Sequence, residues 1–176
     1  DDVFLYNNSL PEIDFSEIDT STVFLDKKIN FPLMINAMTG GNEFSEDINR
    51  DLAGVANEFR IPMAVGSEKI ALEDEDARES FEIVREIIKD GIVLSNLSGE
   101  ATVEEAKRAV DLVRADAIQI HLNPAQELAQ PEGNRKFRNI LQNIDLIVAH
   151  MDVPVIVKEV GFGLSKDVIK SLYNIG

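Results

Sequence analysis

Short apolar runs alternate with longer segments of helical period from residue 32 onward. The runs have strand length, are bounded by glycine, proline or polar residues, and lie at 33–38, 62–66, 92–97, 117–122 and 154–160. About five βα units in succession predict an α/β fold with a parallel sheet and helices outside it. A doubly wound open sheet and an incomplete (β/α)8 barrel both fit this spacing, because a complete barrel needs eight units in roughly 250 residues.

The segments between the runs carry apolar stripes typical of helices that pack on one face. The predicted helices span 45–59, 75–89, 102–114 and 137–149. Ser45 is a predicted N-cap, as is Ser165 for a last helix, and Thr102 with Glu105 has the spacing of a capping box. His150 follows a helix, and we expect it only to cap that helix.

Residues 1–31 lack this alternation and contain no Lys or Arg before Lys27. We therefore predict an N-terminal arm over 1–31, with short helical or extended pieces, and a partial barrel domain over 32–176. The start at Asp1 has none of the basic residues that open a secretory signal.

The composition excludes several kinds of partner and site. With 32 acidic and 17 basic residues the net charge is −15, so nucleic acid and anionic membranes are disfavoured. The absence of cysteine excludes disulfides, thiolate metal sites and a Cys nucleophile. No apolar run approaches the ~20 residues of a membrane helix. We expect a cytoplasmic protein.

Polar and glycine residues follow the first three runs, at the strand ends where parallel α/β folds carry their chemistry. The sequences are NAMTGG (36–41), GSEK (66–69) and SNLSG (95–99). Glycine lets a ligand approach the backbone, and Thr39, Ser67 and Asn96 add polar groups. Lys69 can meet an anion. Each motif also has a purely structural explanation when it is taken alone: a tight turn for Gly40-Gly41, which is the more common case, an ordinary βα loop for 66–69, and a hydrogen-bonded structural amide for Asn96.

The fourth run is the most informative. Gln119, His121 and Asn123 alternate with apolar residues and so share one face of the strand. A central parallel strand is normally apolar on both faces, so three polar groups together predict a ligand-lined interior. Glu127 follows as a hard-cation ligand, a general acid or base, or a solvated carboxylate. The polar loop 124–136 is typical of a lid or binding loop.

Lys158 interrupts the fifth run, which is otherwise nearly apolar. A buried Lys needs a partner or an anion. It would form a Schiff base, face a cofactor, or belong to a structural Lys–Glu pair.

Taken together, the strand ends resemble the FMN-dependent type 2 isopentenyl-diphosphate delta-isomerases. The resemblance lies in the order and spacing of PLMINAMTGG (32–41), MAVGS (63–67), HLNPAQE with QPEGNRKF (121–137) and PVIVKEVGFGLS (154–165). It implies a TIM barrel that interconverts isopentenyl and dimethylallyl diphosphate. It also implies FMN, NADPH or NADH to reduce the flavin, and Mg²⁺ on the diphosphate, in a redox-neutral reaction.

The resemblance also implies roles for individual residues. FMN contacts fall on Ala37, Met38, Thr39, Ser67, Asn96 and Lys158. Substrate contacts fall on Ser67, Lys69, His121, Asn123 and Gln126, and the Mg²⁺ ligand is Glu127. The reduced flavin itself mediates proton transfer in this family, and Gln126 and His121 are the nearest candidate side chains.

The chain departs from the family pattern in three places. Glu68 and Lys69 stand where the family usually has Gln and Arg, so the bidentate fork is lost and Glu68 adds negative charge if it faces the site. No basic segment precedes Asp1, and the last three βα units, with their glycine-rich phosphate loops, do not follow. We expect this chain alone neither to close a barrel nor to hold FMN well, and its sheet edges to invite association. Full-length members are expected to be homo-oligomers.

Two alternatives stay open. Another FMN-dependent TIM-barrel oxidoreductase, similar to the hydroxy-acid oxidases, would need a catalytic His-Arg arrangement near a late strand. A non-catalytic barrel fragment would only associate. Gln126 and Glu127 favour the isomerase, because a diphosphate substrate calls for a metal ligand.

Overall fold

A four-stranded parallel sheet, covered by helices and preceded by a hairpin, makes up the chain in a computed structural model that describes residues 4–131 and 133–176. The strands are β1 (Thr22–Phe24) and β2 (Lys27–Ile29) of the hairpin, and β3 (Met63–Ala64), β4 (Val93–Ser98), β5 (Ala117–Leu122) and β6 (Val155–Glu159) of the sheet. The helices are α1 (Glu43–Phe59), α2 (Lys69–Glu73), α3 (Glu79–Ile87), α4 (Val103–Leu112), α5 (Pro124–Ala129), α6 (Ile140–His150) and α7 (Lys166–Tyr173). Short 3₁₀ turns lie at Phe15–Glu17 and Glu75–Ala77.

The sheet strands pair in chain order, and every pair is parallel. A doubly wound sheet reverses its strand order at a switch point, whereas a barrel wall does not. The prediction of a parallel α/β fold is therefore confirmed, and the sheet is a curled half-barrel of four strands. Across the ladder, Asn96 lies opposite Gln119 and His121 lies opposite Lys158.

The first apolar run, 33–38, does not form the predicted strand. Only Ile35 bridges to Met63, with Ile35 N donating to Pro62 O at 2.9 Å and Ala64 N donating to Ile35 O at 2.8 Å. The run lies at the edge of the sheet beside a two-residue strand, and no described strand pairs with its outer side. The expected five strands are thus four strands and one bridge.

Two apolar layers lie on opposite faces of the sheet, as the alternation of side chains requires. Ile118 and Ile120 of β5 pack with Ile144 and Ile147 of α6 in the layer beneath the helices. On the other face, at the N-terminal ends of the strands, Leu94 and Ala117 pack with Ile29 of the hairpin. The hairpin thus covers this end of the inner face and leaves the carboxyl edge free.

A network of two ion pairs that share Asp116 lies at that end of the sheet and includes Lys27 of the hairpin. Arg85 is 7% exposed, and its Nη2 lies 2.7 Å from Asp116 Oδ2. The same oxygen accepts from Val93 N at 2.9 Å, and Asp116 Oδ1 accepts from Lys27 Nζ at 2.7 Å. The other donors of the guanidinium bond to backbone carbonyls at the C-terminal ends of α3 and α4.

The predicted helices exist, but their ends differ. The side chain of Asn42, not Ser45, caps α1, accepting from Ser45 N at 2.9 Å. Ser45 is buried in the first turn, so its assignment as a cap was wrong. The capping box of Thr102 and Glu105 and the Ser165 cap are both confirmed. The helix predicted at 75–89 begins only at Glu79, after a 3₁₀ turn, and the one predicted at 137–149 begins at Ile140.

The N-terminal arm contains the hairpin and one 3₁₀ turn, and residues 1–3 with the start at Asp1 lie outside the described residues. In the described part of the chain no helix is long and apolar enough to cross a bilayer.

Candidate active site

A cleft of about 260 Å³ opens at the carboxyl edge of the sheet, where β4 and β5 end. His121, Asn123 and Glu127 all line it, so the structure brings together three side chains that the sequence places on one face or just beyond it. Phe137 and Ile140 close its apolar side. Small polar groups set in an apolar concavity are typical of a ligand site.

His121 is half-buried in this cleft, and its Nδ1 lies 3.2 Å from Asn96 Oδ1. An amide oxygen only accepts, so the contact places the ring proton on Nδ1 and leaves Nε2 as an acceptor. Burial lowers the pKa of His121, the Lys158 cation lowers it further, and the Glu127 carboxylate acts in the opposite direction. Burial and the Lys158 cation therefore both favour the neutral imidazole.

Lys158 lies opposite His121 on β6 and is half-buried, less than its apolar run predicts, because β6 is the last strand of the sheet. Partial desolvation lowers the pKa of Lys158, against the neighbouring Glu159 carboxylate. That carboxylate accepts from the amides of Gly161 at 2.6 Å and Gly163 at 2.9 Å. Among the described residues Lys158 forms no ion pair, so the alternative of a structural Lys–Glu pair finds no support there.

Glu127 is held at the cleft by its neighbours on both sides. Its Oε1 accepts from Asn123 Nδ2 at 3.3 Å, and its Oε2 accepts from Asn134 N at 2.6 Å. The segment after β5 folds into α5, with Pro124 in its first turn, so a loop over all of 124–136 was the wrong prediction. Glu132 of that loop lies outside the described residues.

Two site residues were missed by reasoning from the sequence. Asn134 donates through Nδ2 to the Glu100 carboxylate, so one asparagine joins Glu100 and Glu127. Gly133 permits this close approach, because a Cβ there would overlap the Glu127 carbonyl oxygen. The available signal for Glu100 is its position just after the strand-end motif 95–99.

The segment that follows the first apolar run contacts the end of β3 through Gly66. Its N–H donates to Thr39 O at 3.2 Å, and a Cβ on Gly66 would lie 2.5 Å from the same oxygen. The Thr39 hydroxyl lies 2.8 Å from Ser45 Oγ, whereas Met38 and Ser67 are exposed at the edge. Ala37 is half-buried against the inner apolar layer. The Ala37–Thr39 turn and Ser67 therefore form one surface at this edge.

Glu68 does not face the cleft. It is fully buried beside β4, where its Oε2 accepts from Asn96 N at 2.9 Å and from the Ser95 hydroxyl. Burial raises the pKa of Glu68 to about 8, against these two hydrogen bonds. Glu68, which stands where the family usually has Gln, therefore adds no negative charge to the cleft.

Lys69 and Gln126 stand outside the 260 Å³ cleft. Lys69 is exposed at the start of α2 and lines a smaller cleft with Glu100 and Glu105. Gln126 is exposed on α5. His150, at the end of α6, donates through Nδ1 to Leu146 O, 2.8 Å away, as its capping role predicts.

The residues at this edge fit a flavin. Gln119 lies beside Asn96 on the inner face, and its Oε1 is buried without a hydrogen-bond partner among the described residues. A buried acceptor of this kind calls for a donor from a bound group. Lys158 adds a cation opposite His121 on the neighbouring strand, and Gly66 permits a close approach of the backbone.

The donor set also fits a hard divalent cation. Glu127, Glu100 and the amide oxygens of Asn123 and Asn134 are oxygen ligands of the kind Mg²⁺ prefers. The described residues contain no group of three or more His, Asp and Glu side chains placed to hold a metal ion. A cation here would therefore depend on water and ligand oxygens for the rest of its coordination shell.

Three curated relatives named isopentenyl-diphosphate delta-isomerase match this chain over its whole length. Identity is 50% over 177 residues with the Bacillus licheniformis protein, which is matched over 51% of its length. It is 44% over 176 residues with that of Listeria innocua, 49% of whose length is matched. It is 46% over 176 residues with that of Staphylococcus saprophyticus, 51% of whose length is matched. The chain thus spans about half the length of these relatives.

Solved structures that resemble the chain are barrel enzymes. A mandelate oxidase variant with a monooxide FMN adduct superimposes with a TM-score of 0.60 at 17% identity, over 93% of this chain and 50% of that one. Pediococcus acidilactici lactate oxidase gives 0.58 at 16% identity, over 93% and 51%. At this identity the likeness shows the fold alone, that of half a TIM barrel. No protein-family model matches the chain. The chain is therefore similar, over its whole length, to about half of an isopentenyl-diphosphate delta-isomerase.

Proposed function

We propose that this chain is part of a type 2 isopentenyl-diphosphate delta-isomerase, which interconverts isopentenyl and dimethylallyl diphosphate in isoprenoid synthesis. The observation that carries the proposal is the 43–50% identity, over the whole chain, with proteins named for that reaction. The cleft at the carboxyl edge supports it, because it presents a histidine, an amide and a carboxylate together.

The flavin would lie along the inner face of the half-barrel. Ala37, Met38, Thr39, Ser67, Asn96 and Lys158 would hold it, and reduced FMN, primed by NADPH, supplies the proton transfers when bound. Lys158 would favour the anionic reduced ring because it has no ion-pair partner among the described residues. Asn96 is positioned for this contact by its backbone bond to Glu68.

The substrate diphosphate would lie in the cleft. A diphosphate beside His121 opposes the lowering of its pKa, favours the imidazolium and so turns Nε2 into a donor. Glu127 would bind Mg²⁺, with Glu100 beside it, and the ion would share the diphosphate oxygens. Asn123, Gln126 and Lys69 would make the remaining contacts. The charge of −15 makes this neutralisation necessary for an anionic substrate.

The oxidase alternative rests on fold alone. The oxidase structures are only 16–17% identical to this chain, whereas the isomerases are 43–50% identical. We propose that the active protein is cytoplasmic and homo-oligomeric.

Flavin binding tests the proposed cofactor. FMN fluorescence would be titrated with the 176-residue chain and with a chimera that joins it to the part of the B. licheniformis relative it does not match. We expect the chimera to quench FMN saturably and the chain alone to bind weakly. Lys158→Ala in the chimera should weaken FMN binding at least about tenfold, or about 1.4 kcal/mol. A folded chimera that leaves FMN fluorescence unchanged would contradict the proposal.

A further inference from the structure

A second and larger cleft, of about 590 Å³, lies at the opposite end of the sheet from the candidate active site. Strand β2 borders it on one side, and the C-terminal ends of α1 and α3 border it on the other. It shares no lining residue with the cleft around His121. Concavities of this size hold small organic ligands.

The rim of this cleft is basic on a protein that is strongly acidic. Four lining residues are basic: Lys27, Lys28, Arg60 and Lys89. Asp90 is the one carboxylate among the lining residues, whereas the whole chain carries a charge of −15. Lys27 is paired with Asp116 at 2.7 Å, and the other three bases form no ion pair with any described residue. Their positive potential is therefore available to a ligand.

Helix ends alone do not account for these charges. The carbonyls at the C-terminal end of α3 accept from the buried Arg85, whose Nη1 lies 3.1 Å from both Ile88 O and Gly91 O. At the end of α1, the N–H groups of Arg60 and Ile61 already satisfy Ala56 O. Lys28 lies on the hairpin and belongs to neither helix. The two helices therefore do not need the Lys28, Arg60 and Lys89 side chains to satisfy their C-terminal carbonyls.

The wall of the cleft is polar in part and also offers apolar surface, which comes from the partly exposed Ile61 and Ile87. Ile29, Ala56 and Ile92 are buried in its wall, and Ile61 and Ile87 are partly buried beside them. A simple inorganic anion would leave this surface unused, and a neutral apolar molecule would leave the bases unpaired. An apolar tail with an anionic head satisfies both parts.

We propose that this cleft is a second binding site, for an amphiphilic organic anion that carries a phosphate or diphosphate on a short alkyl chain. The apolar tail contacts Ile61 and Ile87, and the head group lies among Lys28, Arg60 and Lys89. The site lies wholly within the described chain and does not depend on the isomerase proposal.

Isothermal titration of the 176-residue chain with n-octyl phosphate, below its micellar concentration, tests the site. We expect saturable binding of one molecule per chain that weakens as NaCl is added. Inorganic phosphate, which has the head without the tail, and octyltrimethylammonium, which has the tail with the opposite charge, should both bind at least about tenfold more weakly. The backbone amide of Gly91 should shift in an NMR titration with n-octyl phosphate.

Matched double variants separate a site from general charge attraction. Lys28→Gln/Arg60→Gln should weaken n-octyl phosphate binding at least about tenfold. Lys107→Gln/Lys170→Gln removes the same charge from exposed positions on α4 and α7 and should leave binding unchanged. Equal losses in the two variants, or no saturable binding by the wild-type chain, would overturn the proposal. If the first variant loses its circular dichroism, Lys28→Gln alone serves in its place.

Discussion

Glu68 is the residue at which packing and ionisation are most closely linked. Its carboxyl is fully buried, with one oxygen bonded to Asn96 N and Ser95 and the other, Oε1, without a described partner. Burial raises its pKa from 4.5 to about 8, so the folded chain keeps it protonated at neutral pH. An unfolded chain ionises the same group near its ordinary value.

This shift predicts a fall in stability with rising pH. The pKa of Glu68 is higher in the folded chain than in the unfolded one. The stabilising contribution of the protonated carboxyl is therefore fully present below pH 4.5 and is lost as the pH rises to about 8. Glu68→Gln should remove the decline and stabilise the chain at pH 9 by on the order of 5 kcal/mol relative to wild type. Urea unfolding at pH 6 and pH 9 measures this. The exposed Glu86→Gln is the control, and a parallel pH dependence in Glu68→Gln would contradict the assignment.

His121 reports on the charges around the cleft. Lys158 lowers its pKa and Glu127 raises it, so Lys158→Met should raise the pKa of His121 and Glu127→Gln should lower it. The chain has two histidines, so ring-proton NMR titration separates His121 from the exposed His150. Opposite shifts at His121 would mean that the two charges do not face its ring.

At the scale of elements, one buried guanidinium joins α3 to Asp116, and Asp116 in turn pairs with Lys27 of the hairpin. Arg85→Met removes one of the three donors to Asp116 and the donor of several buried carbonyls, and should lower the free energy of unfolding by about 3 kcal/mol. Arg50→Met is the control, because its exposed pairing with Glu46 is worth less than about 1 kcal/mol. Urea unfolding compares the two. Equal losses would show that the Arg85 network adds nothing beyond a surface pair.

The same scale shows what could be predicted from the sequence. The run 117–122 is a central strand whose alternation is strict, so its bounds and its polar face were predicted correctly. The run 33–38 is equally apolar, but it lies at the edge of the sheet beside a strand of only two residues. It therefore forms a single β-bridge instead of a strand. The bond from Asn134 to Glu100 joins loops 34 residues apart, and no local pattern predicts such a contact. A prediction of parallel strands does not determine how strongly the sheet curls, because the curvature depends on packing over the whole chain.

At the scale of the whole molecule, the half-barrel leaves apolar surface uncovered next to β6. All five residues of β6 are only half-buried, and Phe162 and Tyr173 beyond it are 83% and 84% exposed. The outer edge of β6 pairs with no strand of the described chain. Exposed edges and apolar patches of this kind promote association.

The 176-residue chain should therefore associate as its concentration rises. Sedimentation velocity between about 5 and 200 µM should show a rising average mass, whereas Phe162→Ser/Tyr173→Ser should shift this rise to higher concentration. The exposed Phe44→Ser on α1, away from the open edge, is the matched control. A chain that stays monomeric over the whole range would contradict the role of this surface.

Isomerisation by the completed barrel tests the central claim most directly. The chimera with the B. licheniformis segment would be given FMN, NADPH, Mg²⁺ and isopentenyl diphosphate, and dimethylallyl diphosphate would be measured. We predict product formation that chelation of Mg²⁺ abolishes, and that Glu127→Gln reduces at least about a hundredfold while FMN stays bound. A folded, flavin-loaded chimera that forms no product, or an undiminished rate in Glu127→Gln, would contradict the account.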